Sequence, residues 1–157
     1  MEENNKHVQP NSKEEGVQRL NRILSESLIK ATDTYKTPPQ IIWVDNSSIA
    51  TLGNFSASTG KAKAKKTFNV SALVATSLAN NKVQNYRASL PEGKRKILYV
   101  DTEQSRYHCH NVLERILKLA GLPTSIDNEN LDFICQREYT PSVRIEVIDY
   151  ALALGQS

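Results

Sequence analysis

Aromatic residues, cysteines and long apolar runs are all scarce in this sequence of 157 residues. Phe, Trp and Tyr make up only 6% of it, and two cysteines, Cys109 and Cys135, are too few for a disulfide framework, so we expect both to be reduced and buried. No apolar run approaches the roughly 20 residues that span a bilayer, and Met1 to Pro10 lacks the apolar centre of a secretion signal. These absences predict a cytoplasmic protein without a membrane partner.

Size and composition are typical of one soluble domain. Apolar residues account for 39% of the chain and charged residues for 24%, and its length fits a domain of about 100 to 200 residues. The net charge of +3 is mild, but four lysines fall within six residues, at Lys61, Lys63, Lys65 and Lys66. The positive field is therefore local, which favours a phosphate-bearing ligand.

The N-terminal part of the chain has its own pattern. Residues 1–12 are polar and predict a disordered lead. Within residues 13–36, apolar side chains from Val17 to Ala31 recur every three or four positions, which predicts an amphipathic helix over residues 13–34. This helix packs either on its own core or against a neighbouring subunit.

After Pro38 and Pro39, apolar runs typical of strands alternate with helical patterns. The order predicts an α/β fold with a mostly parallel sheet flanked by helices. We read residues 45–48 as a turn and residues 80–96 as a surface loop. The predicted strands cover residues 41–44, 54–59, 97–100 and 131–135. The predicted helices cover residues 67–79, 104–121 and 141–154.

The segment GKAKAKKT, residues 60–67, carries the strongest motif. It matches the phosphate-binding pattern GxxxxGK[ST] at three of four fixed positions, with Lys65 in place of the second glycine. Backbone N–H groups at a helix N-terminus favour an anion, Lys66 would reach the β- and γ-phosphates, and the Thr67 hydroxyl would bind Mg²⁺. Lys65 preserves this cradle only if its dihedral angles are ordinary and its side chain points outward. The predicted nucleotide-binding residues are Gly60, Lys61, Ala62, Lys63, Ala64, Lys65, Lys66 and Thr67.

The same lysines have a simpler interpretation. A lysine-rich loop can be a solvated turn, or a contact for the phosphates of a nucleic acid in a protein that binds no nucleotide. A strand before the motif and a helix after it favour the nucleotide site.

Two acidic residues follow the apolar strand at residues 97–100. Ligands of parallel sheets lie at the carboxyl ends of strands, where both the basic loop and the sequence Asp101-Thr102-Glu103 are expected. We assign Glu103 to the activation of an attacking water, and Asp101 to the Mg²⁺ shell, with Asp101 as second choice for the base. Alternatively, Glu103 only caps the next helix.

A zinc site at His108-Cys109-His110 is disfavoured, because neighbouring residues on a helix point about 100° apart. Arg106, Arg137 and Arg144 are candidate phosphate partners, although a surface role is the simpler expectation.

Three segments together, GNFSASTGKAKAKKTF, KILYVDTEQS and REYTPSVRIEVIDYAL, resemble the RecA-like P-loop ATPases. These are the AAA-family ATPases of plasmids and mobile elements, related to RepA-type hexameric replicative helicases, and the resemblance covers residues 38–154. The family loop usually reads GKxKSGKT, which Lys65 departs from. The resemblance implies a partial RecA-like fold over residues 37–157, ATP and Mg²⁺ as cofactors, Glu103 as the hydrolytic residue, and work on DNA by a homo-oligomeric ring, a hexamer in the family.

The family also has a later strand that ends in an aspartate of the Mg²⁺ site, which this sequence lacks. The resemblance therefore implies an N-terminal half of a longer ATPase with impaired hydrolysis. An open sheet edge and a tendency to self-associate are expected from such a half.

Overall fold

The computed structural model describes residues 12–61 and 65–155, and contacts divide the chain after Thr37 into two units. In the first unit, helix α1 spans Ser12–Ser27 and is shorter than predicted. The Asp33 carboxylate accepts hydrogen bonds from the Lys30 amide at 2.8 Å and the Tyr35 hydroxyl at 2.9 Å. This local turn competes with the helix, because short polar side chains offer the backbone an alternative to helical bonds. Most of the predicted lead, residues 1–11, lies outside the described residues.

The second unit is mixed α/β. Its elements in chain order are β1 (Gln40–Val44), β2 (Ser47–Thr51), α2 (Lys66–Ala79), β3 (Lys82–Val83), β4 (Tyr86–Ala88), β5 (Ile97–Asp101), α3 (Arg106–Leu119), β6 (Leu131–Cys135) and α4 (Pro141–Leu154). A four-stranded sheet has the order β2-β1-β4-β3 with antiparallel pairs only, and a two-stranded sheet pairs β5 with β6 in parallel. The predicted parallel order is therefore confirmed for one pair of strands.

Three predicted segments differ in the structure. The turn at residues 45–48 contains only Asp45 and Asn46, after which β2 returns along β1 as a hairpin. The loop at residues 80–96 contains the β3–β4 hairpin. The predicted strand at residues 54–59 is wrong: this segment has no regular structure, and its Phe55 is 95% exposed. The Ser56 hydroxyl donates to the Ile49 carbonyl at 2.8 Å, so a short side chain again competes with strand pairing.

The parallel pair forms as the apolar runs predict. β5 and β6 align in register from Ile97 with Leu131 to Asp101 with Cys135, and the Tyr99 and Phe133 rings stack with centroids 4.3 Å apart. Helices α2 and α3 pack against each other. A buried cluster lies between these two helices and strands β3 and β6. It consists of Ala75, Val83, Val112, Ile116 and Leu131. In contrast, α4 has no buried residue. Within the described ranges, no helix is long and apolar enough to cross a membrane.

Candidate nucleotide-binding site

Lys65 lies at the junction of the basic loop and α2. Its backbone is left-handed, with φ 56° and ψ 26°, and its carbonyl accepts the first helical hydrogen bonds from the amides of Phe68 at 3.0 Å and Asn69 at 3.2 Å. The condition for an intact phosphate cradle, ordinary dihedral angles at Lys65, is therefore not met. Left-handed backbone costs an L-residue about 1–2 kcal/mol, and glycine, which the motif places here, avoids that cost.

The start of α2 is electropositive and open. Its first turn contains no acidic residue, and among the described residues no side chain caps it. The amides of Lys66 and Thr67 precede the first intrahelical bond, so they have no partner within the helix. A helix N-terminus carries roughly half a positive charge, to which the exposed side chains of Lys61, Lys65 and Lys66 add. These groups can bind an anion together.

The other predicted loop residues are described only in part. Gly60 and Lys61 are exposed and irregular, whereas Ala62, Lys63 and Ala64 lie outside the described residues. Thr67 is half-buried, and its carbonyl accepts the Ser71 hydroxyl at 2.7 Å.

Asp101 ends β5 and organises the turn that follows. It is buried, and its Oδ1 accepts the amides of Glu103 at 2.9 Å and Gln104 at 2.7 Å. Its Oδ2 accepts the Gln104 side-chain Nε2 at 2.9 Å. The carboxylate therefore has three protein donors and fixes the β5–α3 turn. The role of Gln104 was not predicted, although the spacing in Asp-Thr-Glu-Gln is a turn signal in which an aspartate receives later amides.

Glu103 is exposed at the same turn. Among the described residues, no hydrogen bond or ion pair joins Glu103 or Asp101 to Lys66 or Thr67. The structure thus places Asp101 at the end of β5 and Glu103 on the following turn, whereas the basic residues lie at the start of α2. Helix α2 packs against β5.

The thiols of Cys109 and Cys135 lie next to this turn. Both donate to the Gln104 carbonyl, at 3.8 and 3.5 Å. Burial raises the pKa of the Cys109 thiol to about 12, and the hydrogen bond with Cys135 and the charge of Asp101 act in the same direction. At neutral pH the Cys109 thiol is therefore protonated, which makes it a weak nucleophile.

The histidines flanking Cys109 are engaged elsewhere. The His108 Nδ1 lies 2.9 Å from the Ser105 hydroxyl, and the His110 Nδ1 lies 3.8 Å from the Glu114 carboxylate. Within the part of the chain that the structure describes, no group of three or more His, Cys, Asp or Glu side chains is arranged to hold a metal ion.

Of the three arginines considered as phosphate partners, Arg144 binds carbonyls. Its guanidinium donates to Gln136 O and Arg137 O, each at 3.0 Å. Arg106 and Arg137 are exposed near the carboxyl end of β6.

No protein-family model, curated protein or solved structure matches this chain.

Proposed function

We propose that this chain is the ATP-binding part of a RecA-like ATPase that acts in DNA replication, mobilisation or repair. In this proposal the segment at residues 60–67 and the start of α2 bind the triphosphate. The carrying observation is the N-terminus of α2: its first turn has no acidic residue, no described side chain caps it, and Lys65 and Lys66 are exposed there. The left-handed backbone of Lys65 does not meet the condition for an intact cradle, so we expect weaker phosphate binding than with glycine at this position.

Each residue of the proposed site has its own role in binding the triphosphate or Mg²⁺. Lys66 offers a charge to the terminal phosphates, and the amides of Lys66 and Thr67 bind phosphate oxygens. The Thr67 hydroxyl fits Mg²⁺, which takes oxygen ligands and, when bound, neutralises phosphate charge. Asp101, the other proposed Mg²⁺ residue, fits less directly because three protein donors bind its carboxylate. We therefore assign Asp101 to positioning the turn that carries Glu103, the proposed base for water.

A thermal-shift titration with ATP and Mg²⁺ tests nucleotide binding. A ligand at a hundredfold its Kd adds about 2.7 kcal/mol to stability, which raises the melting midpoint by several degrees. Lys66→Ala should abolish the shift. Lys94→Ala, which removes an exposed lysine far along the chain, should leave it unchanged. No shift in the wild type, or equal shifts in wild type and Lys66→Ala, contradicts the proposal.

A second function has its own supporting observation. Lys61, Lys65 and Lys66 are exposed, and within the described ranges no carboxylate pairs with them, so they can contact nucleic-acid phosphates without any nucleotide. Binding of labelled single-stranded DNA separates the two functions. A basic contact surface predicts similar losses for Lys61→Ala and Lys66→Ala, steep salt dependence, and no effect of ATP.

A further inference from the structure

Strand β6 has an open edge. The Gln136 amide donates to Asp101 O at 2.7 Å and so extends the ladder between β5 and β6. Main-chain groups alternate along a parallel strand, so Ile134 faces β5 as Gln136 does, whereas Phe133 and Cys135 direct N–H and C=O groups to the opposite edge. Among the described residues, no backbone hydrogen bond reaches these outward groups. An unpaired edge of this kind is a template for another strand.

Two neighbouring clefts follow this edge, with volumes of about 510 and 620 Å³. They share Leu113, Phe133 and Ile134, and α3 forms one wall. Val147 of α4 lines the first cleft on the other side. Consecutive residues of a strand project to opposite faces of its sheet, so a cleft lined by both Phe133 and Ile134 lies at the edge.

Gln136 leaves a polar group unsatisfied in the first cleft. It is 1% exposed, and neither its Nε2 nor its Oε1 has a hydrogen-bond partner within the described ranges. The Arg144 guanidinium holds the adjacent main chain by donating to Gln136 O at 3.0 Å. A buried polar group without a hydrogen-bond partner destabilises the fold, so a partner for it would be favourable. A donor and an acceptor side by side match the C=O and N–H of a peptide chain.

The charges at the two ends of the edge have opposite signs. Arg106 and Arg137 lie beside its Gln136 end, where Arg106 lines the first cleft and both line a smaller one. Asp127 and Glu129 line the cleft at the other end. These four residues are exposed. An extended segment that is acidic at one end and basic at the other complements this arrangement.

We propose that the edge of β6 binds an extended polypeptide segment of a partner protein by strand addition. The segment is apolar in its middle, acidic beside Arg106 and basic beside Glu129. Backbone hydrogen bonds to Phe133 and Cys135 supply affinity, and the Gln136 carboxamide pairs with a peptide group. A second copy of this chain fits less well, because α3 and α4 flank the edge and a matching sheet would bring its own helices.

Fluorescence polarisation with a synthetic peptide tests this proposal. In the peptide, Val and Thr alternate between a glutamate pair at one end and a lysine pair at the other, and both polarities are made. We expect one polarity to bind the full chain. The same peptide N-methylated at alternate residues keeps its side chains but loses the donors on one edge, so it should bind at least about tenfold more weakly.

Two variants separate binding from folding. Gln136→Leu removes the unsatisfied carboxamide, so the melting midpoint should be kept or raised while peptide affinity falls about tenfold. Thr76→Val is the matched control, because the Thr76 hydroxyl is also buried without a partner among described residues but lies on α2. It should leave peptide affinity unchanged. If Gln136→Leu fails to fold, the N-methylated peptide still decides the question.

Charge reversal tests the direction of the segment. Arg106→Glu should weaken the peptide that binds the wild type and strengthen the one with exchanged charges. Failure of both polarities to bind, equal binding of the N-methylated peptide, or unchanged binding by a folded Gln136→Leu overturns the proposal. So does a dimer in sedimentation experiments that Gln136→Leu dissociates and the peptide does not.

Discussion

Replacing Lys65 with glycine should stabilise the protein, in contrast to most substitutions at a helix start. The left-handed backbone at φ 56° costs lysine about 1–2 kcal/mol, whereas glycine adopts it freely. Glycine also lowers the free energy of unfolding by roughly 0.5–1 kcal/mol, because it loses more conformational freedom on folding than lysine does. The free energy of unfolding should therefore rise by about 0.5–1 kcal/mol in Lys65→Gly.

Two further variants isolate this effect. Lys65→Ala removes the same charge and the same long side chain but keeps Cβ, so it should show no such gain. Gln84→Gly relieves a second positive φ, 56°, in the turn between β3 and β4. It should stabilise the fold to a similar extent without changing nucleotide binding. Urea unfolding at constant m-value measures all three differences.

The nucleotide site adds a second readout to this substitution. If phosphate lies against the backbone at Lys65, removal of Cβ should tighten ATP binding by about threefold to tenfold relative to Lys65→Ala, which has the same charge. A Lys65→Gly protein no more stable than Lys65→Ala would refute the strain argument. A more stable Lys65→Gly protein with unchanged ATP affinity would instead place the phosphates away from this residue.

Substitutions at three other residues test contacts of the second unit. Asp101→Ala leaves three donors without their acceptor and should cost about 2–4 kcal/mol in urea unfolding, whereas Asp101→Asn keeps one acceptor oxygen and should cost less. Asn80→Ala removes a side chain that accepts from the Leu90 amide at 2.6 Å, and should cost about 1–2 kcal/mol by the same measurement. The free energy of unfolding should fall as pH rises from 9 towards about 12, because the unfolded chain loses the Cys109 proton before the folded chain does. Cys109→Ala should therefore flatten this part of a plot of urea midpoint against pH. An unchanged slope in Cys109→Ala would contradict this prediction.

The parallel pair could be predicted from the sequence because its local pattern and its tertiary role agree. The predicted strands at residues 97–100 and 131–135 lie within one residue of β5 and β6, and the helix at residues 141–154 matches α4. Continuous apolar runs of four or five residues have few alternatives in a folded chain. Pro141 at the first turn fixes the start of α4.

The antiparallel sheet could not be predicted in the same way. Strands β3 and β4 have only two and three residues, and the sequences of β2, β3 and β4, SSIAT, KV and YRA, carry little apolar periodicity. Their pairing depends on turns in which Asp45 and Gln84 adopt positive φ without glycine. The usual signal of such a turn was therefore missing. Residues 54–59 alternate as a strand does, but their serine and asparagine side chains bind nearby groups instead.

The candidate sites, like the fold, could be predicted from the sequence only in part. The motif predicted that Lys65 lies directly before a helix, but it did not predict the backbone conformation of Lys65. Backbone propensity alone disfavours a left-handed lysine. The sequence placed Asp101 at the end of its strand, yet the three donors that engage its carboxylate are set by the turn geometry. Gln136 could not be identified at all. An isolated glutamine carries no pattern, and only the fold shows that its carboxamide is buried and unpaired.

Asp101 connects the two proposed sites by direct bonds. Its carboxylate holds the turn that carries Glu103, and its carbonyl accepts the Gln136 amide at 2.7 Å beside the open edge of β6. A segment added to that edge would restrain Gln136 and hence the strand end from which the Glu103 turn begins. Any such coupling must be reciprocal, because thermodynamic linkage makes ATP change peptide affinity by the factor by which peptide changes ATP affinity. Equal peptide affinities with and without saturating ATP would show instead that Asp101 is a rigid support, which moves with neither ligand.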